Sequence, residues 1–207
     1  MNDPRMFAPS AARNMAPIQA VLLPRLPDRG IVLEIASGSG EHITSLATAA
    51  AGDDAPRQLI FQPSDPNPAA RQSIDAWRGE HGADNVRPAV AIDATASDWP
   101  IDRADAVMCI NMIHISPWNA TLGLIRGAYR LIPADGFLFT YGPYRRDGEH
   151  TSEGNAVFDA QLRSQNPEWG IRDVEDVTAV AMAEGFASPE IIEMPANNLS
   201  LFFARRD

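Results

Sequence analysis

Two kinds of apolar spacing alternate along the chain. Short, nearly continuous apolar runs are typical of buried strands, whereas apolar residues three or four positions apart are typical of helices. The runs predict strands at residues 32–35, 59–62, 86–91, 106–111, 136–141, 190–194 and 199–204. The helical spacing predicts helices at residues 41–51, 68–80, 119–131, 153–164 and 174–184. This alternation predicts an α/β fold in which a doubly wound, mostly parallel sheet carries helices on both faces.

The C-terminal third departs from this alternation. After Tyr141 we expect an irregular polar segment up to about His150. The last two strands are joined by Pro195-Ala196-Asn197-Asn198, a run of turn formers, and are therefore predicted to be antiparallel. A length of 207 residues with 45% hydrophobic residues suits one domain. We predict a single domain over residues 1–207, with residues 1–28 as an N-terminal helical cap.

A glycine-rich loop separates the first predicted strand from the next helix, in the sequence Glu34-Ile35-Ala36-Ser37-Gly38-Ser39-Gly40-Glu41-His42. Glycine lacks a Cβ, so the backbone at Gly38 and Gly40 can take unusual φ values and approach a ligand, while the following helix presents unpaired N–H groups. A nucleotide-like cofactor is expected there. The dinucleotide fingerprint needs a third glycine, and this chain has Ile43 at that position.

The same stretch resembles motif I of class I S-adenosylmethionine (SAM) methyltransferases, whose pattern is acid-x-Gly-x-Gly-x-Gly. Ala36 stands at the first glycine of that pattern. The resemblance implies a seven-stranded sheet with a closing antiparallel pair, and SAM as the cofactor. The cofactor-binding residues that it implies are Glu34, Ala36, Ser37, Gly38, Gly40 and His42.

Acidic residues follow the second and third predicted strands. Asp65 lies at the tip of the second, where a carboxylate with two acceptor oxygens suits two ribose hydroxyls. It is also suited to a turn or a helix cap in Asp65-Pro66-Asn67-Pro68. Asp93 and Ala94 resemble the methyltransferase segment that meets the adenine ring, with loop capping as the alternative role for Asp93.

The fourth predicted strand ends at the carboxyl edge of the sheet, where open α/β sheets bind ligands. Asn111 and Met112 are candidates for contacts with SAM. His114 is the first candidate catalytic residue, because imidazole titrates near neutral pH and can orient or deprotonate a substrate. A buried structural histidine is the alternative. Trp118 is a candidate either for the apolar wall of the pocket or for the buried face of the next helix.

Longer stretches carry a more specific resemblance than the glycine-rich loop alone. They are residues 12–14, 33–42, 62–65, 112–118, 141–144, 158–159, 166–173 and 194–199. Together they resemble one branch of this class, the small methyltransferase-like family named domain of unknown function 938, over nearly the whole chain. Ala36 departs from the general motif I, but the Ala-Ser-Gly-Ser-Gly form of the loop fits this branch, so the departure is no strong argument against SAM.

Residues beyond the cofactor motifs indicate where a substrate sits, since hydroxyl and amide groups can position a polar nucleophile. Tyr141 is the second candidate catalytic residue. The candidate substrate-binding residues are Asn14, Trp118, Tyr144 and Asn198. Further candidates at the pocket rim are Arg13, His150, Asn155 and Asn197. The apolar residues 21–23 are expected either to cap the pocket or to pair two chains as a homodimer.

The charge and composition narrow the partners. A formal net charge of −10 without a lysine-rich run argues against nucleic acid, whose phosphates are bound chiefly by clustered Lys and Arg. No run approaches the roughly 20 apolar residues that span a bilayer, and no leader pattern is present, so we expect a cytoplasmic protein without a membrane partner. Cys109 stands alone and the four histidines lack metal-ligand spacing, so we expect no disulfide and no metal.

The leading interpretation is a SAM-dependent methyltransferase that acts without a metal on a small molecule, with oxygen favoured as the acceptor atom. Methyl transfer mainly requires that water be excluded and the reacting atoms be held in line. Two alternatives stay open. One is a SAM-binding protein without turnover that regulates or scaffolds, and the other is a nicotinamide-dependent oxidoreductase that uses the same loop.

Overall fold

A mixed sheet forms the centre of the computed structural model, which describes residues 3–52, 57–81 and 83–206. Within these residues the sheet has eight strands. They are β1 (Arg29–Ile35), β2 (Gln58–Pro63), β3 (Ala106–Ile110), β4 (Phe137–Arg146), β5 (Glu149–His150), β6 (Arg172–Asp173), β7 (Glu190–Met194) and β8 (Asn198–Ala204). Their order is β2-β1-β3-β4-β8-β7, and the short β5 and β6 pair with β4. The first four strands are parallel, whereas β8 is antiparallel to both β4 and β7.

Six α-helices in the described part of the chain cover both faces of this sheet. They are α1 (Pro9–Leu22), α2 (Glu41–Ala51), α3 (Pro68–Glu80), α4 (Trp118–Leu131), α5 (Glu153–Gln165) and α6 (Val174–Glu184). Successive strand residues point to opposite faces, so Val32 of β1 joins the apolar core of α1 and α2 while Leu33 joins that of α4 and α6. The predicted α/β doubly wound class is confirmed, including its antiparallel ending. None of these helices combines the length and the apolar character needed to cross a membrane.

The predicted strand at residues 86–91 is wrong. Only isolated bridges form there, between Val86 and Phe61 and between Val90 and Ser64. Between the two bridges Pro63 has no N–H to donate, and the N–H of Ala89 turns away to the carboxylate of Asp75 at 3.0 Å. The ladder is therefore interrupted, and the implied seven strands become six longer strands and the two-residue strands β5 and β6.

The polar segment after Tyr141 is also more regular than predicted. β4 continues to Arg146 and turns back into β5 through Asp147 and Gly148, which both have a left-handed backbone with φ of 51° and 78°. The hairpin pairs Arg145 with His150. A turn with two left-handed residues matches the twist of the flanking strands, which explains why this segment pairs.

The N-terminal helix packs along the sheet. Leu22 is 0% exposed in the core of α1 and α2, and residues 21 and 23 lie partly buried against the same core. Leu22 is therefore enclosed by the fold and is not free to cap the pocket or to pair two chains, whereas pairing through the partly buried residues 21 and 23, and a homodimer, stay untested predictions. Residues 1, 2, 53–56, 82 and 207 of the predicted domain, of which 1 and 2 belong to the predicted cap, lie outside the described residues.

Candidate functional site

The carboxyl ends of the parallel strands and the start of β8 lie at one edge of the sheet. The glycine-rich loop follows β1, Asp65 follows β2, Asn111 follows β3, and Asn198 begins β8. Following the strand order, this edge runs from Asp65 through the loop and Asn111 to Asn198. The predicted cofactor residues thus occupy one half of the edge, and the predicted substrate residues the other.

The two glycines of the loop have different surroundings. Gly38 has φ of 56°, and a Cβ built there would meet no atom within 4 Å. Gly40 has φ of 94°, and a Cβ there would lie 2.7 Å from the Cα of Ile74 in α3. Gly38 therefore borders open space, as expected for the approach of a ligand, whereas Gly40 lets α2 and α3 pack closely. Ala36, with φ of 56°, shares the left-handed conformation.

Backbone hydrogen bonds fix this loop to the end of β2. The N–H of Ser37 donates to the carbonyl of Ser64 at 2.8 Å, and the N–H of Gly38 donates to Oδ2 of Asp65 at 3.0 Å. The other carboxylate oxygen of Asp65 accepts from the N–H of Asn67 at 2.9 Å. Asp65 therefore acts in the turn and also lies beside Gly38, so its two predicted roles are compatible.

Glu34 lies beneath the loop rather than in it. Its side chain is buried, and Oε2 has no hydrogen-bond partner among the described residues. Burial raises its pKa to about 8, the negative charge of Asp65 adds to this, and a hydrogen bond from Ser37 opposes it. Glu34 is therefore mostly protonated near neutral pH, and it supports the loop without adding a negative charge.

The remaining predicted cofactor contacts differ in exposure. His42 lies in the first turn of α2, and burial lowers its pKa to about 4, so the ring is neutral. Asp93 is exposed, and its Oδ1 accepts hydrogen bonds from the N–H and the hydroxyl of Thr95, each at 2.8 Å. This oxygen therefore caps the loop, which is the alternative role predicted for Asp93. Ala94 is buried, with its carbonyl facing Gly123 of α4.

Asn111 connects the two halves of the edge. It has φ of 63°, its N–H donates to the carbonyl of Tyr141 at 2.8 Å, and its own carbonyl accepts from the N–H of His114 at 3.2 Å. Met112 is buried, and its sulfur accepts a hydrogen bond from Ser116 at 3.2 Å. The left-handed Asn111 thus ends β3 and turns the chain so that His114 comes under the edge.

A cavity of about 380 Å³ opens beside Asn111 in the substrate half of the edge. Its walls come from α1, α5, the segment after β3, β4 and the turn before β8. The lining residues are Ser10, Arg13, Asn14, Asn111, His114, Ile115, Pro143, Asn155, Phe158, Ala196 and Asn198. The structure therefore brings together the predicted Asn14, Asn111, His114 and Asn198, and the rim candidates Arg13 and Asn155.

His114 is the most deeply buried polar residue that lines this cavity. It is 1% exposed, and its Nε2 has no hydrogen-bond partner within the described residues. Nδ1 accepts from the backbone N–H of Arg172 at 3.4 Å. Burial, together with the charge of Arg172, lowers its pKa to about 3. The ring is therefore neutral with its proton on Nε2, which makes Nε2–H a donor and does not support the predicted role in deprotonation.

Tyr144 supports His114 from behind. It is 0% exposed, its hydroxyl shares a hydrogen bond with Thr140 at 2.8 Å, and its ring lies edge-on to the imidazole with centroids 5.1 Å apart. The predicted substrate contact of Tyr144 is therefore wrong, because the side chain is enclosed by the core. Gly142 was not predicted, yet any Cβ there would collide with Nε2 of His114.

Two other predicted residues lie outside the cavity lining. Tyr141 is buried in the core of α1 and α2, and burial raises its pKa to about 12. A catalytic role for it is not supported, since it is enclosed and hard to ionise. Trp118 begins α4, and the guanidinium of Arg172 lies 5.6 Å from its ring centroid. It packs, partly buried, against the core of α4 and α6, as its alternative role predicted, and does not line the cavity.

Sequence reasoning missed Gly142, Phe158 and Arg172. Arg172 reaches His114 across 58 positions of the chain, and its side chain donates to the carbonyl of Ile113 at 3.0 Å. No local pattern reveals such a pairing. The segments 141–144, 158–159 and 166–173 had been singled out only by family resemblance, and that was the one available signal.

No group of three or more His, Cys, Asp or Glu side chains within residues 3–52, 57–81 and 83–206 is placed to hold a metal ion. Cys109 is a buried free thiol, and burial raises its pKa well above the usual range. The polar groups available at the edge are therefore the loop amides, carboxylates, side-chain amides, Arg13 and the neutral imidazoles.

The fold and the glycine-rich edge define a protein of the Rossmann-like methyltransferase fold class. Residues 5–205 match the family described as Protein of unknown function (DUF938), and the chain belongs to that family. The predicted resemblance is thereby confirmed.

Solved structures with the same fold are distant in sequence. An O-methyltransferase family protein from Burkholderia thailandensis is 18% identical with a TM-score of 0.79, and the match covers 96% of this chain and 58% of that protein's chain. PigF, solved with S-adenosylhomocysteine (SAH), is 18% identical with a TM-score of 0.74, covering 94% and 56%. SAH-bound CalO1, a methyltransferase in calicheamicin biosynthesis, is 14% identical with a TM-score of 0.75, covering 95% and 54%. The chain thus spans little more than half the length of these proteins, and the likeness is one of fold.

Proposed function

We propose that this protein binds SAM at the cofactor half of the edge and transfers its methyl group to an oxygen atom of a small molecule in the adjacent cavity. The observation that carries the proposal is Gly38, which combines a left-handed backbone, open space at its Cβ position and a hydrogen bond to Asp65. The fold is shared with the methyltransferase CalO1 and with PigF, both solved with SAH, which supports the same assignment.

The residues present fit SAM. Gly38 leaves room for close approach, Asp65 retains lone pairs on both carboxylate oxygens for ribose hydroxyls, and the start of α2 supplies unpaired N–H groups. His42, Asp93 and Asn111 remain candidates around the same edge. Bound SAM supplies an activated methyl group to a nucleophile, and no metal is needed for that chemistry.

The cavity residues hold the acceptor. Pro143, Ile115 and Phe158 give apolar walls that exclude water, and the amides of Asn14 and Asn198 offer polar contacts. Positioning of this kind supplies a large share of rate enhancement when reacting atoms are held in line. A strong base is not required of the site when the nucleophile is already ionised.

The burial of Ile43 disfavours the alternative of a nicotinamide-dependent oxidoreductase. Ile43, at the third glycine position of the nicotinamide fingerprint, is buried in the core of α1 and α2, so close packing of the helix on the strand by a glycine is absent.

Calorimetric titration with SAM, SAH and NADH tests the cofactor directly. We expect micromolar binding of SAM and SAH and no response to NADH. The absence of a binding signal with both SAM and SAH contradicts the proposal. Binding of SAH without methyl transfer to any of a panel of hydroxyl- and carboxyl-bearing metabolites favours the non-catalytic alternative.

A further inference from the structure

The described residues that line the cavity include a single charged side chain, that of Arg13. None of the described lining residues is an Asp or a Glu. Arg13 makes no ion pair with another described residue. In a chain with a net charge of −10, an unpaired arginine beside an acid-free cavity is a local attraction for an anion.

His114, the most deeply buried polar residue of the lining, also favours an anion. Nδ1 of His114 accepts the N–H of Arg172, which leaves Nε2–H, beside Gly142, as a buried donor without a partner among the described residues, and His114 lines the cavity. A buried donor is satisfied by an oxygen with free lone pairs, and most strongly by an anionic oxygen. The nearest carboxylate on α5, Asp159, is already engaged by Arg163 at 2.9 Å and by the N–H of Ile171 at 2.6 Å.

The apolar side chains of the cavity wall indicate which kind of molecule carries the anionic group. Ile115 and Phe158 are large apolar side chains that remain 46% and 39% exposed, and both line the cavity. A volume of about 380 Å³ lies toward the small end of ligand pockets. The cavity therefore suits a compact molecule with an apolar or aromatic body.

We propose that the methyl acceptor is a small organic acid with an apolar body, bound as its carboxylate, with Arg13 as the countercharge and Nε2–H of His114 as the hydrogen-bond donor. This inference rests on the proposed function, because it concerns the acceptor of that reaction. Arg13 is thereby a specificity-determining residue on α1, and His114 a donor that orients the acceptor.

Paired ligands test this charge preference. With SAH-saturated protein, calorimetry compares benzoate with benzyl alcohol, and 3-phenylpropionate with 3-phenylpropanol. We expect each acid to bind at least about tenfold more tightly than its alcohol, as a charge-assisted contact requires. Arg13→Gln should remove most of that preference, whereas Arg126→Gln, an equal charge change on α4 outside the lining, should keep it.

Proton-detected NMR of the histidine side chains gives a readout that does not depend on turnover. We expect His114 to show a neutral ring protonated at Nε2, and the signal of that proton to shift when benzoate is added. A ring protonated at Nδ1 contradicts the donor assignment.

The outcomes separate the two proposals. SAH binding with equal or weaker binding of the acids, or with no binding of either partner of a pair, overturns the acceptor class alone. An equal loss of preference in Arg126→Gln and Arg13→Gln overturns the role of Arg13. Absence of SAH binding, measured first in the same titration, overturns the proposed function itself.

Discussion

At the level of single residues, two glycines share a left-handed backbone and open space but differ in place. Gly38 lies in the loop after β1, and Gly148 lies in the turn between β4 and β5, with φ of 56° and 78°. Replacement of either by valine should cost ~1–3 kcal/mol of stability through backbone strain. Only Gly38→Val should also abolish SAH binding, because its side chain fills the proposed cofactor space.

Calorimetry and thermal unfolding of both variants check this prediction. Gly148→Val is the control for strain without loss of the site. If folded Gly38→Val binds SAH as the parent does, the loop is not the cofactor site.

Asp65 offers a second test at this scale. Asp65→Asn preserves the size of the side chain but removes the charge and two acceptor positions, so SAH affinity should fall by ~1–3 kcal/mol. Asp105→Asn is the matched control, since Asp105 also holds a backbone N–H, that of Ile31 at 2.8 Å, at the amino end of the parallel strands. Similar SAH affinities for the two variants in a titration would return Asp65 to a purely structural role.

Glu34 should make stability depend on pH. Burial raises its pKa from 4.5 to about 8, so between these values the folded state binds a proton that the unfolded chain has released. This contribution to the free energy of unfolding is present below the lower pKa and is lost as the pH rises toward the upper one. Glu34→Gln should remove this dependence, which is at most ~1.4 kcal/mol per pH unit.

Urea unfolding of the parent and of Glu34→Gln across this pH range provides the measurement. The variant should gain stability relative to the parent as the pH rises. Parallel pH profiles for the two proteins would show that Glu34 is not protonated in the folded state.

Residue positions at the edge were predictable where the sequence pattern is local. The open Gly38, Asp65 at the strand tip and Asn111 at the edge follow from short sequence patterns. The neutral form of His114 with its proton on Nε2 does not follow from such a pattern, because it depends on a backbone N–H 58 positions away and on the space that Gly142 leaves. Long-range packing also encloses Tyr141 and Tyr144, which in sequence resemble exposed strand ends.

At the level of elements, residues 3–8 tie the glycine-rich loop to α3. The N–H of Met6 donates to Oγ of Ser73, and the same hydroxyl donates to the carbonyl of Ser39, both at 2.7 Å. The N–H of Ala8 donates to the carboxylate of Glu41 at 2.7 Å. The segment before α1 thus holds the cofactor loop, while α1 itself brings Arg13 to the cavity.

Ser73→Ala should therefore loosen the loop and the N-terminal segment together. We expect faster hydrogen exchange at the N–H of Met6 and a several-fold loss of SAH affinity, since one hydroxyl contributes about 0.5–1.5 kcal/mol for each hydrogen bond. Ser45→Ala is the control, because Ser45 bonds Gln19 of α1 at 2.8 Å but not the loop. An equal effect of both variants on SAH would contradict this link.

The bounds of elements were predictable where apolar spacing is uninterrupted. Helices α2, α3 and α6 and strand β7 have the predicted bounds. The strand at 86–91 failed because Pro63, on the neighbouring strand, interrupts the ladder. β4 was predicted too short because its pairing with β5 and β6 depends on the turn at Asp147 and Gly148 and on a segment much later in the chain.

At the level of the whole molecule, the strand order creates the site. Because β1 lies between β2 and β3, and β8 lies beside β4, one edge carries the cofactor loop at one end and the cavity at the other. Sequence reasoning gave the elements and the fold class, but it did not place the cavity between α1, α5 and the turn before β8. Those walls are far apart in the chain and meet only through packing.

A crystal structure of the protein with SAH is the decisive measurement for the proposed cofactor site. We expect SAH to lie along the edge with its ribose hydroxyls on Asp65, its backbone contact at Gly38 and its sulfur directed toward the cavity lined by His114. SAH bound elsewhere, or bound at the edge with its sulfur turned away from that cavity, would show that the edge and the cavity do not form one site.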